Sequence, residues 1–441
     1  MSWTDQCFLF VLLLSLVGIL RGLRKAHIRH AFYAIFHKPA AVSAFIILML
    51  FLCIGVLDSI HLPTSSYTSN SLLDQILSPL GDTYERTYSS PFALTLHSSE
   101  TLVVNDHAEQ VYPMLVYPRP AIQNNQEKNK WITHVLVMSL LLTSFIVVGT
   151  WLGLVAVHYA IQRHWRWKPS FVTMTALLTL FIFVYFLIAS FWLSRHLHIL
   201  GTGQIGQDIF YYSVKSIRTG LVIGILTTLF MMPLALFAGI AAGYFGGIVD
   251  DIIQYIYTTL SSIPGVLLIT ASVLSMQTYI ANHPQQFATL AQSADARLLA
   301  LCLILGVTSW TSLCRLLRAE TLKLREIDFV LAAQALGSGS FKIIRKHLLP
   351  NVMHIVIITL VLDFSFLVLA EAVLSYVGVG VSPMTISWGN MINAARLELA
   401  REPIIWWPMA AAFILMFTLV LASNLFADAV RDAFDPHQIK Q

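Results

Sequence analysis

Leu331-Ala-Ala-Gln-Ala-Leu-Gly-Ser-Gly-Ser-Phe-Lys-Ile-Ile-Arg-Lys-His-Leu-Leu-Pro350 is a polar island between two long apolar runs. Its punctuation is specific: Ala332 and Ala333 precede Gly337, and Leu349-Pro350 close the stretch. Asp328 is placed to N-cap a short helix from Phe329 to Leu336, and Gly337 can take the left-handed conformation that ends it. Ser338 or Ser340 can cap a second short helix, which Pro350 should stop. The expected product is a compact helix–turn–helix. Ala332 and Ala333 leave room on it for a partner surface to come close, and a rigid bent element of this kind can transmit a push.

The flanking runs set the class. Of 441 residues, 57% are hydrophobic and 11% charged, against roughly 25% charged in soluble domains. The chain therefore reads as an all-α, polytopic membrane protein. A spanning helix needs about 20 mostly apolar residues, and nine runs qualify: 6–20, 40–57, 132–159, 171–192, 220–244, 252–276, 298–314, 352–377 and 406–426. The first is short and followed by Arg21, Arg24 and Lys25, with no small-residue cleavage site, which reads as a retained helix. Cys7, Cys53, Cys302 and Cys314 lie within or at the ends of apolar runs and read as small core hydrophobes.

Basic residues fix an expected orientation. Arg21, Arg24, Lys25, Arg29 and Lys38 follow the first run, and Arg163, Arg166 and Lys168 follow the third. Between Arg315 and Lys346 there are seven basic residues against three acidic ones. If every run crosses once, these segments share the cytoplasmic side with the C-terminus, and the acid-rich stretch 58–131 lies outside. That stretch is too long and polar for a turn; its pattern suggests a small ordered appendage with extended pieces, and its prolines argue against long helices in the second half.

Catalytic chemistry is not encoded in any recognisable pattern. There is no Gly-x-x-x-x-Gly-Lys-[Ser/Thr] loop, no His-Glu-x-x-His and no Gly-x-Ser-x-Gly. No metal site, cofactor or nucleic-acid partner is expected; His196 and His198 read as an interfacial pair. Ionisable groups inside a span are costly and usually functional. Asp363 and Glu371 share one run, eight residues and so about 80° apart on a helix, and form a possible translocation path. Gly239 and Gly243 make a small-xxx-small face, and Pro233 and Pro264 can kink their spans.

From about Leu200 onward, several motifs occur in order. They are Leu200-Gly-Thr-Gly-Gln-Ile-Gly-Gln-Asp208, Ala242-Gly-Tyr-Phe-Gly-Gly247 with Asp250, Ala370-Glu-Ala-Val-Leu-Ser-Tyr-Val-Gly-Val-Gly380, and Ser387-Trp-Gly-Asn-Met391. Asn424, Asp428, Arg431, Asp432, Asp435 and Pro436 close the series. Together with 331–350, which resembles the cytoplasmic Glu-Ala-Ala loop of ABC importer permeases, this half resembles the C-type permease of peptide, dipeptide and nickel importers. Three departures stand out. Leu331 replaces the family's Glu, Gly203 and Gln207 replace an Asp and an Arg whose ion pair would brace an outer loop, and Asp363 is a carboxylate where a small or apolar residue is expected.

The resemblance implies a type I ABC permease core in the C-terminal half, at 200–428, with a coupling loop at 328–350 carried by Asp328, Ala332, Ala333, Gly337, Leu349 and Pro350. The first core helix would be 40–57. Residues 1–39 would add an N-terminal helix and basic segment, 58–131 a periplasmic insertion, 132–199 a further transmembrane hairpin and 429–441 a cytoplasmic tail. It also implies a non-enzymatic subunit of the bacterial inner membrane that translocates peptides by alternating access. The implied partners are a homologous second permease, two ATP-binding subunits, a periplasmic substrate-binding protein and membrane lipid. The alternative is a proton- or ion-coupled secondary transporter using Asp363 and Glu371, which would call for internal repeats that the chain does not display.

Overall fold

In lipid a backbone must satisfy its own hydrogen bonds, so long apolar runs become helices. The computed structural model describes residues 2–22, 26–62, 70–104, 107–117, 124–162, 170–287 and 289–434. Arg24, Lys25, Arg163, Arg166, Lys168, Asp435 and Pro436, used above for orientation and resemblance, lie outside the described residues.

In chain order, α1 (Trp3–Gly22), α2 (Ala26–Phe36) and α3 (Pro39–Ser59) precede a polar region. That region holds β1 (His61–Leu62), β2 (Asn70–Ser71), α4 (Leu72–Ile76), α5 (Ser78–Gly81), β3 (Glu100–Val104) and β4 (His107–Val111). There follow α6 (Asn125–Gln162), α7 (Phe171–Ser194), α8 (Ile209–Phe245), α9 (Gly247–Ser262), α10 (Gly265–Asn282) and α11 (Leu290–Arg325). The rest comprises α12 (Asp328–Ala335), α13 (Ser340–Ile343), α14 (Leu349–Tyr376), α15 (Trp388–Glu398) and α16 (Trp407–Phe434). Nine helical runs among the described residues are long and apolar enough to cross a membrane: α1, α3, α6 to Gly153, α7, α8, α10, α11, 340–376 and α16. The fold is all-α and polytopic.

One expected span is corrected. The run 252–276 is not one helix: α9 ends at Ser262, Ile263 is extended (φ −87°, ψ 132°), and Pro264 precedes α10. A proline disfavours helical geometry in the residue before it, and here it breaks the helix outright. Pro233, by contrast, sits inside an unbroken α8.

The chain divides into two compact units. The first comprises Met1–Phe32, Gly220–Thr385 and Phe426–Gln441. Its core gathers Met231, Trp310, Leu313, Leu317, Leu324, Val352 and Val356. α8 and α11 touch through glycines, as the small-xxx-small face predicts. A Cβ on Gly239 would lie 2.7 Å from the Leu317 Cβ, and one on Gly243 2.6 Å from the Thr321 Cβ. Asp250 of α9 pairs with the Arg318 guanidinium at 2.5 and 2.6 Å, tying α9 to α11. The guanidinium outweighs the smaller opposing effect of desolvation and holds the Asp250 carboxyl below the usual carboxylate range. α1 is captured by Asp295 of α11, whose carboxylate accepts from the Trp3 N–H at 2.7 Å, the Thr4 N–H at 3.3 Å and the Thr4 hydroxyl. The first turn of a helix has amide donors to spare, and a carboxylate from a neighbouring helix satisfies them.

The second unit comprises Tyr33–Thr219 and Ile386–Leu425. α7 packs against both α3 and α6. The described residues of the polar region include the expected extended pieces, as two antiparallel strand pairs, β1–β2 and β3–β4. Ser71 and Asp74 form a capping box that starts α4. Leu73, Leu77 and Leu80 bury this end against Val135, Leu193, Ile199 and Phe210.

Candidate functional site

The loop 328–350 is anchored from beneath and open above. Val330, Ile343 and Leu348 are fully or almost fully buried in the core of the first unit, with Leu313 and Leu317. Hydrophobic burial of this kind contributes about 1.5–3 kcal/mol per large side chain, so the loop is held by its own underside. Its upper surface keeps apolar groups in the open: Leu336 is 85% exposed and Phe341 76%. Leu331 is also exposed. Lys342, Arg345 and Lys346 surround a shallow concavity beside Phe341.

Gly337 behaves as expected. It has φ +73°, and the Ser338 and Gly337 N–H groups donate to the carbonyls of Ala333 (3.0 Å) and Gln334 (2.9 Å). This is the Schellman arrangement, which satisfies the carbonyls left over at a helix end. Three expectations are corrected. Asp328 is the first residue of α12, not its cap; Ile327 holds the cap position and no side chain caps it. An acid in the first turn still suits the positive end of the helix. Neither Ser338 nor Ser340 caps α13, where the Gly339 carbonyl accepts from the Lys342 and Ile343 N–H groups. Pro350 does not stop the second helix. Residues 344–348 widen into a π turn, the Leu349 N–H donates to the Ile344 carbonyl, and α14 continues at once. Proline lacks an N–H and its ring crowds the carbonyl four residues back; a wide turn relieves both. Ala332 is exposed, while Ala333 packs on the core and Leu349 is half-buried.

The two acids of α14 have different surroundings. Glu371 is 3% exposed and accepts from the Ser375 hydroxyl at 2.8 Å. Asp363 is half-buried, and its Oδ2 is fully enclosed without a hydrogen-bond partner. Eight helical residues separate them by about 12 Å along the axis, so they do not form one site.

A third arrangement was not legible in the sequence. His198, read above as half of an interfacial pair, is completely buried. Its Nδ1 lies 2.6 Å from the Asp208 carboxylate and its Nε2 3.5 Å from Glu85. Glu85 also accepts from the Val116 and Tyr117 N–H groups at 3.0 and 2.7 Å. His196 instead packs on Trp131, with ring centroids 4.8 Å apart. Burial opposes the imidazolium, but the two carboxylates outweigh it and push the His198 pKa up to about 9. Glu85 is lowered below its ordinary range: its burial is overcome by His198 and the two amides. No metal-binding group of three or more ligands occurs among the described residues. The neighbouring loop, which carries Gly203 and Gln207, is braced by Thr202 and Trp407. The Thr202 hydroxyl donates to the Thr87 carbonyl at 2.8 Å, and Trp407 Nε1 donates to the Thr202 carbonyl at 3.0 Å.

Comparison with known proteins places this architecture. Residues 235–440 match the family of binding-protein-dependent transport system inner membrane components. The dipeptide transport system permease protein DppC of Lactococcus lactis is 31% identical over 239 residues, covering 54% of this chain and 64% of that one. The oligopeptide transport system permease protein OppC of Mycobacterium tuberculosis is 31% identical over 239 residues, covering 54% and 76%. The glutathione transport system permease protein GsiD of Pectobacterium atrosepticum is 30% identical over 240 residues, covering 54% and 72%. The match thus spans just under two thirds of the Lactococcus protein and about half of this chain. With nine candidate spans and the helical loop in place, the chain belongs to the inner-membrane permease family of peptide ABC importers.

Proposed function

We propose that this chain is the permease subunit of an ATP-driven importer that carries peptides across the bacterial inner membrane by alternating access. The observation that carries this reading is the loop 328–350, buried on one side through Val330, Ile343 and Leu348 and exposing Leu331, Leu336 and Phe341 on the other. A rigid, apolar projection suits docking in a surface cleft of an ATP-binding subunit. Continuity of 340–376 through the π turn offers a direct path from that surface into a membrane helix. The partners are a homologous second permease, two ATP-binding subunits that hydrolyse ATP, a periplasmic substrate-binding protein and membrane lipid. The core is 200–428 with first helix 40–57. Residues 1–39, 58–131 and 132–199 are additions to it, and 429–441 forms a tail on the cytoplasmic side. Asp363 and Glu371 belong to the translocation path. The ion-coupled alternative finds no support in two acids that far apart, one of them already hydrogen-bonded.

The test is co-purification. ATP-binding subunits are expected to accompany the detergent-solubilised wild type and to be lost from Leu336→Asp or Phe341→Asp. Both positions are exposed, so the fold is spared. Retention of the subunits by both variants would refute the docking role.

A further inference from the structure

The concavity on the open side of the loop 328–350 has a definite charge. It measures about 380 Å³, room for roughly a dozen waters, and is lined by Phe341, Lys342, Arg345 and Lys346. Arg345 and Lys346 follow Lys342 by three and four positions, which puts them on its side of the helix. All three are exposed. At the end of α11, by contrast, Arg318, Lys323 and Arg325 each have an acid within 4 Å, namely Asp250, Glu320 and Glu326. One solvated cation on a surface means little. Three around a single hollow repel one another and together attract an anion. Lys346 and Lys342 precede Val352, where the apolar run of α14 begins, by six and ten residues, or about 9 and 15 Å of helix. The headgroup layer of one leaflet is about 5–8 Å thick, so the hollow stands beyond lipid phosphates and within reach of a soluble partner.

We propose that this hollow receives carboxylates of the ATP-binding subunit docked on the loop. The inference rests on the importer reading above and adds to it the charge of the partner's surface: an acidic patch beside the cleft that takes Phe341. Arg345 can hold a carboxylate through two parallel N–H groups, while the lysines act as compact point charges. Phe341, 76% exposed, supplies the apolar centre of the contact. Its burial under the partner excludes water and strengthens the ionic rim around it.

The experiment is retention of the ATP-binding subunits by the intact, detergent-solubilised transporter across a salt series. Wild type is expected to lose them progressively as salt rises. Replacing Lys342→Gln, Arg345→Gln and Lys346→Gln together should weaken retention at low salt by about tenfold and flatten its salt dependence. Arg345→Glu with Lys346→Glu should reverse the slope, because salt screens the new repulsion. A folding defect would lower retention at every salt concentration and could not invert that slope. Retention equal to wild type in the triple variant, with the same salt dependence, overturns the site. If the triple variant keeps the subunits but no longer copurifies with anionic phospholipid, the hollow holds a lipid headgroup and the proposal falls. If wild type retains no ATP-binding subunit at any salt concentration, the importer reading itself has failed, which is a distinct result.

Discussion

At the scale of single residues, the buried His198 junction carries a pH signature. Its folded pKa is raised from an ordinary 6.5 to about 9. The stabilisation is therefore complete below about 6.5 and is lost as pH rises through about 9. Thermal unfolding of the purified protein should show a fall in stability between pH 7 and 10 that is absent in His198→Asn; parallel curves for the two would refute the assignment. Glycines offer a second contrast. Gly243→Val forces a side chain against the Thr321 Cβ and the Arg318 carbonyl, 2.6 and 2.8 Å from its Cβ, and should cost about 1–3 kcal/mol. A Cβ at Gly337 meets nothing within 4 Å, so Gly337→Ala should cost only the left-handed backbone, about 1–2 kcal/mol. Denaturation midpoints would order the two variants. Gly337 was legible because only glycine ends a helix that way without strain. His198 was not, because Glu85 is brought to it from 113 positions earlier in the chain.

At the scale of elements, sequence patterning recovered the helices and erred at their joints. Asp328 missed the cap by one position, since propensity does not decide between a first residue and the one before it. Pro264 and Pro233 look alike in sequence, yet one separates two helices and the other sits within one. The capping box of α4 links Ser71 to Asp74, three residues on. The Asp250–Arg318 pair is a testable joint between α9 and α11. Asp250→Asn removes a two-pronged, partly shielded ion pair worth about 1.5–3 kcal/mol. Hydrogen exchange in α9 should rise in that variant with little change in α14; unchanged exchange would mean that the pair is incidental.

At the scale of the whole molecule, residues 235–440 match the permease family, and the match to individual relatives covers about half of the chain. The extended pieces expected within 58–131 could not be placed from sequence, because the strands described there are two to five residues long and Leu73, Leu77 and Leu80 pack with residues remote in sequence. Orientation remains open to a direct check. A membrane-impermeant thiol reagent should label Val116→Cys from the periplasmic side of sealed vesicles and Phe341→Cys from the cytoplasmic side, both in a background lacking the native cysteines. Labelling of both from one side would overturn the arrangement proposed from the basic residues. The wide turn at 344–348 has a consequence of another kind. A π turn holds about one residue more than the α-helical turn it replaces, and each residue of a helix advances its face by about 100°. Deleting one residue there would swing Leu336 and Phe341 to a different bearing while every side chain of the loop stayed chemically intact. Length, more than composition, is what this segment has least freedom to change.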